Sequence, residues 1–320
     1  MKIGILSRNP ALYSTRRLVE AARTQGHEAL VIDTLTVAVE VGEAATAVHR
    51  GVKVIKPRGA HSVFTAGRIP VHNTAYLPQV DAVIPRIGAS ITYYGLAVVR
   101  QFEARGALTT ASSEAIGKSR DKLHSLQTMA AAGLPIPRTA VIARPEMLYN
   151  AVHSVGGTPV IIKLIQGTQG RGVLLAPNFS TVAAVLERLK RVRKQILVQE
   201  YVAESKGQDT RVIVVGDECV AAMTRIAAEG EFRANLHMGG TAVPAELDDQ
   251  TRQLALAAAR AHGLAVAGVD LIQSNQGPML LEVNSSPGLE GFEGVTGADV
   301  AGAIVHFLEQ QQPHKKRKRR

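Results

Sequence analysis

The stretch Gly268-Val-Asp270-Leu-Ile-Gln-Ser-Asn-Gln-Gly-Pro-Met-Leu-Leu-Glu282-Val-Asn284 contains two apolar runs around a turn-forming centre, Ser274-Asn-Gln-Gly-Pro278. Apolar runs separated by such residues predict two antiparallel strands. If the turn is centred on its middle residue, Asp270 falls opposite Glu282, and Asn284 lies on the same face two residues further along. The pattern therefore predicts three oxygen-bearing side chains close together within an otherwise apolar strand pair.

The chemistry of these three side chains favours a phosphate-handling enzyme. Two adjacent carboxylates repel each other unless one is protonated or a cation lies between them. Oxygen ligands suit a hard cation, and Mg²⁺ held by few carboxylates usually shares its coordination with substrate phosphates. The alternative is a strand end whose acids face water, because a change of register by one residue would separate the three side chains.

The length and composition are those of a globular protein with about two domains. The chain has 320 residues, of which 46% are hydrophobic and 20% charged. No apolar run approaches the roughly 20 residues that span a bilayer. Arg8 and Pro10 interrupt the short apolar run at the N-terminus, so the chain does not begin with the apolar core of a signal peptide. The single cysteine, Cys219, excludes an intramolecular disulfide. We therefore expect a cytoplasmic protein with no membrane partner.

Much of the positive charge lies at the C-terminus. The net charge is +10, and the block Lys315–Arg320 supplies six of these charges, which leaves +4 (10 − 6) for the rest of the chain. A block of like charges of this kind is predicted to be disordered. It can hold the protein to RNA or to an acidic partner through phosphate or carboxylate contacts. The alternative is a solubilising tail with no specific role.

The first third of the chain alternates strands and helices. The predicted elements are strand Lys2–Leu6, helix Tyr13–Gln25, strand His27–Asp33, strand Asp81–Gly88 and helix Thr92–Arg105. This βαβ order predicts a small parallel sheet. No G-x-G-x-x-G motif follows the first strand, so a standard dinucleotide site is not predicted. The polar segment 49–79 is expected to form short edge strands or a long loop.

A predicted helix, Ser119–Ala132, opens the second part of the chain, and the domain boundary is expected near residue 115. The further predicted elements are Thr139–Ala143, Val160–Ile165, Gly172–Leu175, Ile196–Val202, Arg211–Val215 and Cys219–Thr224 as strands, and Pro145–Val155, Thr181–Val192, Asp248–His262 and Val300–Gln311 as helices. The hairpins predict a mostly antiparallel second half. The fold class is therefore α/β (α+β).

A lysine inside an apolar strand suggests phosphate contact. Lys163 lies within Val160-Ile-Ile-Lys-Leu-Ile165 and precedes the glycine-rich loop Gly167-Thr-Gln-Gly-Arg-Gly172. A buried ammonium needs an anionic partner or its pKa falls, and bare backbone N–H groups of such a loop can approach phosphates. The spacing is not that of a Walker P-loop. The alternative is an ordinary glycine-containing hairpin turn.

Other polar residues near strand ends have two open interpretations. The strand end Gln199-Glu200-Tyr201 can present backbone groups to an adenine-like base, or it is an ordinary strand leaving the core. Lys122 is a second phosphate contact or a helix-surface charge. Arg211, Arg225 and Arg233 suit phosphate and carboxylate oxygens, or they form surface ion pairs.

Taken together, these motifs resemble the ATP-grasp enzymes, and residues 1–114 resemble the preATP-grasp (Rossmann-like) domain that precedes that fold. The narrower resemblance is to the RimK-type ligases, and it rests on Ala82-Val-Ile-Pro-Arg-Ile-Gly88, Thr92-Tyr-Tyr-Gly95, Arg100-Gln-Phe-Glu103, Asn235-Leu-His237 and Val283-Asn-Ser-Ser-Pro-Gly-Leu-Glu-Gly291. Those enzymes add glutamate to the C-terminus of the sixth protein of the small ribosomal subunit.

The resemblance implies how the nucleotide is held. Lys122 and Lys163 would contact the ATP phosphates, Glu200 and Tyr201 would frame the adenine, and Asp209 would hold the ribose. The expected layout is a preATP-grasp domain (1–114), an ATP-grasp domain (115–309) and a basic tail (310–320).

The resemblance also implies the reacting region. Arg233, Ala234 and Asn235 would line the nucleotide and acyl-phosphate region, and Arg211 and Arg225, with Arg233, are the candidate catalytic arginines. Within Asn235-Leu-His-Met238, the resemblance predicts a basic residue where the chain has methionine.

The implied metal ligands are Asp270, Glu282 and Asn284, which would hold two Mg²⁺ or Mn²⁺ ions with Glu282 bridging. The implied enzyme is an ATP-dependent carboxylate–amine ligase that joins L-glutamate, through an acyl phosphate, to the C-terminal tail of a small-subunit ribosomal protein. Contact with ribosomal RNA through the basic tail and a homo-oligomeric state are further expectations. The alternative is an ATP-grasp ligase that adds an amino acid to a small cofactor or carrier protein.

Overall fold

In the computed structural model of the protein, the described residues are 1–37, 39, 79–164, 172–189, 195–234 and 239–312. Several predictions lie outside them: most of the glycine-rich loop (165–171), the polar segment from 49 to 78, the residues 235–238 and the basic tail from residue 313.

The N-terminal region is a parallel sheet flanked by helices. Its strands are β1 (Lys2–Leu6), β2 (Glu28–Ile32), β3 (Ala82–Pro85) and β4 (Leu108–Thr109), in the order β2-β1-β3-β4. Its helices are α1 (Tyr13–Thr24) and α2 (Thr92–Ala104). The predicted parallel sheet is confirmed. The two-residue strand β4 was not predicted, since its length gives no periodic pattern.

The predicted helix Ser119–Ala132 is wrong as a single element. The structure has α3 (Ser113–Arg120) and α4 (Lys122–Ala131), which meet at Asp121. The Asp121 carboxylate accepts hydrogen bonds from the backbone N–H groups of Leu123 and His124, both at 3.0 Å. Aspartate favours this N-cap role over a helix interior, so the chain turns at Asp121 and starts a second helix. This break places Lys122 at the first position of α4.

The central region is a four-stranded antiparallel sheet. Its strands are β5 (Thr139–Ile142), β6 (Val160–Leu164), β7 (Val173–Ala176) and β8 (Ile196–Glu200), in the order β5-β8-β6-β7. Helices α5 (Leu148–Ser154) and α6 (Phe179–Leu189) bury one face of it against Val160, Ile162, Ile196 and Val198. Because side chains alternate along a strand, Lys163 and Gln199 lie on the opposite face.

The C-terminal region is a five-stranded antiparallel sheet with a core on each face. Its strands are β9 (Gln208–Val215), β10 (Glu218–Ile226), β11 (Thr241–Pro244), β12 (Val266–Ser274) and β13 (Gly277–Asn284), in the order β11-β10-β9-β12-β13. Its helices are α7 (Asp249–His262), α8 (Glu290–Thr296) and α9 (Val300–Gln310). The predicted antiparallel second half is confirmed. The short elements β11 and α8 were not predicted.

The two faces of this sheet belong to different cores. One face, including Val212 and Val269, packs with α7 and with α2–α4. The other face, including Ile213 and Val266, packs with α9 and with the sheet residues Ile3 and Ile84 of the N-terminal region. Burying each such side chain contributes about 1.5–3 kcal/mol, so both cores join the N-terminal region firmly to the C-terminal sheet. No helix within the described residues combines the length and the hydropathy that crossing a bilayer requires.

Candidate active site

Asp270 and Glu282 lie directly opposite each other on β12 and β13, and Gly268 lies opposite Asn284. The predicted pairing is therefore confirmed, but it arises differently from the expected turn. Ser274 pairs with Gly277, so the turn has two residues, and a bulge beside Asp270 then shifts the register by one. Bulges re-aim side chains and are frequent next to active sites.

Glycine at position 268 allows the loop after β13 to fold back over β12. A Cβ atom on Gly268 would lie 2.8 Å from the Cβ of Pro287, and 3.7 Å from that of Asn284. Real Cβ atoms do not approach this closely, so only glycine permits the contact. It holds Asn284 and the residues that follow it against the strand pair.

Asp270, itself buried, is part of a network with two half-buried arginines and a second, half-buried aspartate. Its carboxylate accepts hydrogen bonds from Nε and Nη2 of Arg211, with the Nε contact at 2.6 Å, and from Nη2 of Arg225 at 3.0 Å. Arg225 also donates Nε and Nη2 to the Asp209 carboxylate, both at 2.6 Å. Arg225 thus bridges the two aspartates with a planar, charge-assisted fork.

The two aspartates of this network titrate in opposite directions. Burial would raise the pKa of Asp270, but the guanidinium groups of Arg211 and Arg225 outweigh burial and lower it. For Asp209, burial dominates and raises the pKa to about 6, against the lowering effect of Arg225. Neighbouring carboxylates whose pKa values are shifted in opposite directions, as these two are, are typical of functional sites.

Glu282 is the accessible carboxylate of the site. It is exposed, whereas Asp270 is 5% exposed. Its charge acts on three cations that come from different parts of the fold, Arg120, Lys163 and Arg211. Glu282 therefore interacts electrostatically with cations of α3, the central sheet and the C-terminal sheet.

The strand pair offers oxygen atoms of the kind that Mg²⁺ prefers. Asp270, Glu282 and Asn284 share one face of the hairpin through the observed register. Within the described ranges, no group of three or more His, Cys, Asp or Glu side chains is arranged to hold a metal ion. The third oxygen ligand of the hairpin is therefore the side-chain amide of Asn284, which lies beside the two carboxylates. Three oxygen ligands fit a hard cation.

Lys163 is held in place by a chain of hydrogen bonds on the central sheet. Its Nζ donates to Gln199 Oε1 at 2.9 Å, Gln199 Nε2 donates to Thr139 Oγ1 at 2.9 Å, and Thr139 Oγ1 donates to the Pro137 carbonyl at 2.7 Å. Gln199 is 4% exposed and pairs with Ile161, which makes it a diagonal neighbour of Lys163. The chain fixes the ammonium without neutralising it.

The environment of Lys163 favours the binding of an anion. Burial, reinforced by the nearby charge of Lys122, lowers the pKa of Lys163 to about 8, and Glu282 acts in the opposite sense. Two cations close enough to repel each other favour an anionic ligand between them. The predicted pair of phosphate-contacting lysines is thus brought together by α4 and β6.

The predicted adenine-framing residues stand at the end of β8. The Glu200 carboxylate accepts hydrogen bonds from Nε of Arg138 at 2.6 Å and from its backbone N–H at 2.8 Å. Tyr201 follows and is half-buried, and Val202 is buried. Glu200 is therefore tied to the start of β5 through its side chain and through its backbone N–H, which donates to the Arg138 carbonyl at 2.9 Å.

Arg233 and Ala234 lie just before the residues outside the described part of the chain. Arg233 Nη2 pairs with Glu231 at 2.6 Å, and its guanidinium lies 5.4 Å from the centre of the Phe232 ring. The side-chain hydrogen bond from Arg233 is the main cause that lowers the pKa of Glu231 to about 2. Ala234 is 9% exposed. Asn235, the third member of the predicted group, lies outside the described residues.

Four polar residues of the site were not singled out from the sequence: Arg86, Arg120, Arg138 and Thr139. Arg120 donates a hydrogen bond to the carbonyl of Ile87, Arg138 donates to Glu200, and Thr139 accepts from Gln199, all distant in sequence. The one sequence feature that points to any of these residues is the arginine at the end of the apolar run that finishes with Pro85-Arg86. A charged residue directly after a buried strand often serves a site at the sheet edge.

Comparison with protein families identifies both parts of the chain. The family model "RimK-like ATP-grasp domain" matches residues 119–308, and "RimK PreATP-grasp domain" matches residues 1–60 and 43–116. A protein of Shewanella amazonensis named "Probable alpha-L-glutamate ligase 1" is 48% identical over 318 residues, covering 99% of this chain and 98% of the relative. A "Probable alpha-L-glutamate ligase" of Vibrio cholerae is 45% identical over 320 residues, covering 100% and 99%.

Solved structures share the architecture. The ATP-grasp ligase PsnB, complexed with minimal precursor, superposes with a TM-score of 0.71 at 23% identity, covering 98% of this chain and 99% of PsnB. A RimK domain ATP-grasp protein of Sphaerobacter thermophilus gives a TM-score of 0.68 at 20% identity, covering 96% and 99%. A further PsnB structure contains Mg and ADP.

The parallel N-terminal sheet, the two antiparallel sheets and the two family matches define an ATP-dependent ligase with an ATP-grasp fold behind a pre-ATP-grasp domain. Within that class, the chain belongs to the RimK-like ATP-grasp family.

Proposed function

We propose that this enzyme adds L-glutamate by peptide bonds to the C-terminus of a small-subunit ribosomal protein. The observation that carries the proposal is that the charges of both Lys122 and Glu282 act on Lys163, while Glu282 pairs with Asp270, an arrangement suited to Mg²⁺ and ATP phosphates. Relatives that match nearly the whole chain at 45–48% identity are named alpha-L-glutamate ligases, which supports glutamate as the amino acid.

The metal would be held by Asp270, Glu282 and Asn284, as two Mg²⁺ or Mn²⁺ ions. When bound, divalent ions offset the charge of the transferring phosphoryl group. Glu282 is the exposed member of the set, and its charge acts on Arg211 of the aspartate network. Asp270 is already oriented by Arg211 and Arg225, so its two oxygens are fixed before a ligand arrives.

The nucleotide would lie between the central and C-terminal sheets. Lys122 and Lys163 would contact its phosphates, the backbone of Glu200 and Tyr201 would frame the adenine, and Asp209 would hold the ribose. The Asp209 carboxylate uses both oxygens to accept from Arg225, but each carboxylate oxygen has a second lone pair for a hydroxyl donor. Arg233, Ala234 and Asn235 would line the region of the phosphates.

The reaction would proceed in two transfers. The acceptor's terminal carboxylate attacks the γ-phosphorus of ATP, the bond to the β-phosphate oxygen breaks, and an acyl phosphate and ADP form. The α-amine of glutamate then attacks the acyl carbon, releases phosphate and loses a proton. Arg211, Arg225 and Arg233 would steady the carboxylate and the acyl phosphate, because preorganised donors stabilise developing charge without reorganising.

The acceptor would be the C-terminal tail of a protein of the small ribosomal subunit, and the reaction would take place in the cytoplasm. The enzyme would be a homo-oligomer whose chain has two domains, 1–114 and 115–309. The six basic residues at 315–320 would add affinity for ribosomal RNA. Deleting residues 315–320 is then expected to weaken association with ribosomal subunits, most strongly at low salt. Unchanged association and an unchanged number of added residues would contradict the role of the tail.

A second candidate is a ligase that adds an amino acid to a small cofactor or carrier protein, since the same site chemistry serves any carboxylate acceptor. Glutamate-dependent release of ADP, measured with small-subunit proteins and with small carboxylate acceptors, separates the two. The proposal predicts release with the ribosomal proteins, and Glu282→Gln provides the control for release that does not depend on this site. Release with the small acceptors alone would move the function to the second candidate.

A further inference from the structure

Two arginines that the proposed mechanism does not use converge beside the site. Arg86 directly follows β3, where its backbone N–H donates to the carbonyl of Leu6 at 2.9 Å. Arg120 ends α3, and its Nη2 donates to the carbonyl of Ile87. Both side chains are half-buried. The turn after β3 therefore brings two guanidinium groups to one location.

The charges of these arginines are not balanced within the described residues. No carboxylate of the described ranges forms an ion pair with Arg86. Burial, together with the charge of Arg120, lowers the pKa of Arg86 to about 10. Burial also lowers the pKa of Arg120, and the charge of Glu282 opposes this. Holding two shielded like charges together costs free energy, and such local conflicts are expected at functional sites.

A buried hydroxyl without a partner lies on the neighbouring loop. Ser285 is 5% exposed, and its Oγ has no hydrogen-bond partner among the described residues. The next residue, Ser286, donates its Oγ to the carbonyl of Pro85 at 3.3 Å, which ties this loop to the end of β3 beside Arg86. A buried polar atom of this kind calls for a ligand or a water.

The location relates these groups to the reacting centre. The charge of Glu282 acts on both Arg120 and Lys163. Arg86 and Arg120 come from the turn after β3 and the end of α3, whereas Lys163 belongs to the central sheet. Because the lysines account for the phosphates, a second anion of the reaction fits the two arginines.

We infer that Arg86, Arg120 and Ser285 form a subsite for the carboxylate of a substrate. The inference rests on the proposed function, in which both the acceptor terminus and glutamate bring carboxylates to this centre. The arginine fork matches the two oxygens of a carboxylate, and the serine hydroxyl supplies a third donor. Bound here, the carboxylate balances the two positive charges and is held next to the phosphoryl group.

The test compares acids with their amides. Calorimetric titration of the full-length enzyme, with ADP and Mg²⁺ present, would compare the binding of L-glutamate with that of L-glutamine and of L-glutamate α-amide. A second titration would compare an acceptor tail that has a free C-terminal carboxylate with the same tail amidated at its C-terminus. Wild type is expected to prefer an acid by about 10- to 100-fold, as charge-assisted hydrogen bonds imply. Arg86→Met and Arg120→Met should remove the preference while leaving ADP affinity unchanged.

The pattern of losses identifies the carboxylate. A loss confined to glutamate assigns the subsite to the amino acid, and a loss confined to the free-terminus acceptor assigns it to the acceptor. Arg144→Met, which removes an exposed arginine of the central region, is the matched control and should retain the preference. Retention of the preference by the Arg86 and Arg120 variants, or an equal loss of ADP affinity, would overturn the inference.

The thermal stability of the Arg86 variants distinguishes a binding role of this arginine from a structural role. Removing an unbalanced buried charge is expected to leave the melting temperature of Arg86→Met unchanged or higher. A lower melting temperature with intact carboxylate preference would show that Arg86 is structural. Arg86→Lys keeps the charge but loses the fork, so it should reduce the preference in a fully folded protein.

The inference is tested even if glutamate ligation fails. An enzyme that makes no glutamate-dependent product would refute the proposed function, and titration with succinate and glutarate would then examine the subsite alone. Binding of these dicarboxylates that is lost in Arg86→Met supports it. A wild-type enzyme that binds none of the carboxylates overturns it.

Discussion

Asp270 lies opposite Glu282, although the two-residue turn of their hairpin would, by unbroken register, place it opposite Leu281. The bulge between the two strands restores the pairing, and both carboxylates then reach one face of the sheet. One residue of register decides whether Glu282 joins the site or leaves it. The bulge is therefore as necessary to the site as the carboxylates themselves.

Glu282→Gln is expected to lower the rate of ADP formation by about 10²- to 10³-fold, because removing one preorganised charge at a phosphoryl-transfer site has effects of this size. The substitution keeps the shape of the side chain. Stopped-flow or coupled assays of ADP release measure the effect. The neighbouring Leu281→Gln, also on the bulge, is the control and should stay within a few-fold of wild type. A loss of similar size in both variants would point to hairpin distortion instead.

The pH dependence of ATP use should report Lys163. Its pKa is lowered to about 8, chiefly by burial, so the ammonium is charged below this pH and becomes neutral above it. We expect kcat/KM for ATP, which reflects the free enzyme, to fall as pH rises through about 8. Lys122→Gln removes a repelling charge and should move the midpoint upward while lowering kcat/KM. A midpoint that is unchanged or lower would contradict the coupling of the two lysines.

Gln199 and Thr139 should act on ATP through the position of Lys163. Thr139→Val removes the hydroxyl that accepts from Gln199 but keeps the side-chain shape, and it leaves a buried amide N–H unsatisfied at a cost of about 1–3 kcal/mol. We expect KM for ATP to rise several-fold, with a smaller change in kcat. Steady-state kinetics at pH 7 measure this. Thr241→Val, at an exposed position on β11, is the control, and equal effects of both variants would contradict the positioning role.

Asp209 should make the protein less stable as pH rises from about 4 to 7. Its pKa in the folded protein is raised to about 6, above the unfolded value near 3.9. The folded state thus binds more protons in this window, and its stability is lost as pH rises through about 6. The unfolding free energy of wild type relative to Asp209→Asn should fall by on the order of 1–3 kcal/mol over this range.

Urea unfolding without nucleotide, in the presence of a metal chelator, measures this difference. A relative stability of wild type that rises with pH would contradict the expectation. It would show that the Arg225 ion pair outweighs burial at Asp209, as the two arginines do at Asp270.

Arg225 should be necessary for the stability of the C-terminal sheet. Arg225→Met leaves the Asp209 and Asp270 carboxylates close together without their shared cation, and breaking a buried ion pair on one side costs about 3–5 kcal/mol. The melting temperature should fall at pH 7 and recover partly toward pH 5, where Asp209 becomes protonated. An unchanged melting temperature would mean that water reaches the two carboxylates.

The fold was predictable from the sequence where hydrophobic periodicity is strong. The parallel start and the hairpin of β9 and β10 follow from local patterns, whereas the predicted pairing of Asp270 with Glu282 is reached through a bulge that the pattern does not show. The break at Asp121 was not predicted, because an aspartate that caps a helix looks the same in sequence as one on its surface. Strand β11, only four residues long, depends on its pairing with β10 rather than on its own pattern.

The site was predictable in its residue types and less so in their contacts. The sequence pointed to Lys163 and the two hairpin carboxylates because charges inside apolar strands are conspicuous. It gave no indication that Arg211 and Arg225 would bind Asp270, since these residues come together only when β9, β10 and β12 pair. Arg86 and Arg120 are likewise brought together by the tertiary fold alone.

The measurement that tests the central claim most directly is mass spectrometry of purified small-subunit ribosomal proteins after incubation with the enzyme, ATP, Mg²⁺ and each amino acid separately. Metal-assisted ligation predicts a ladder of about 129 Da steps, the glutamate residue mass, on the C-terminus of one protein. The ladder should require glutamate and disappear with Glu282→Ala. Release of ADP without any such ladder would contradict ribosomal protein glutamylation as the function of this ligase.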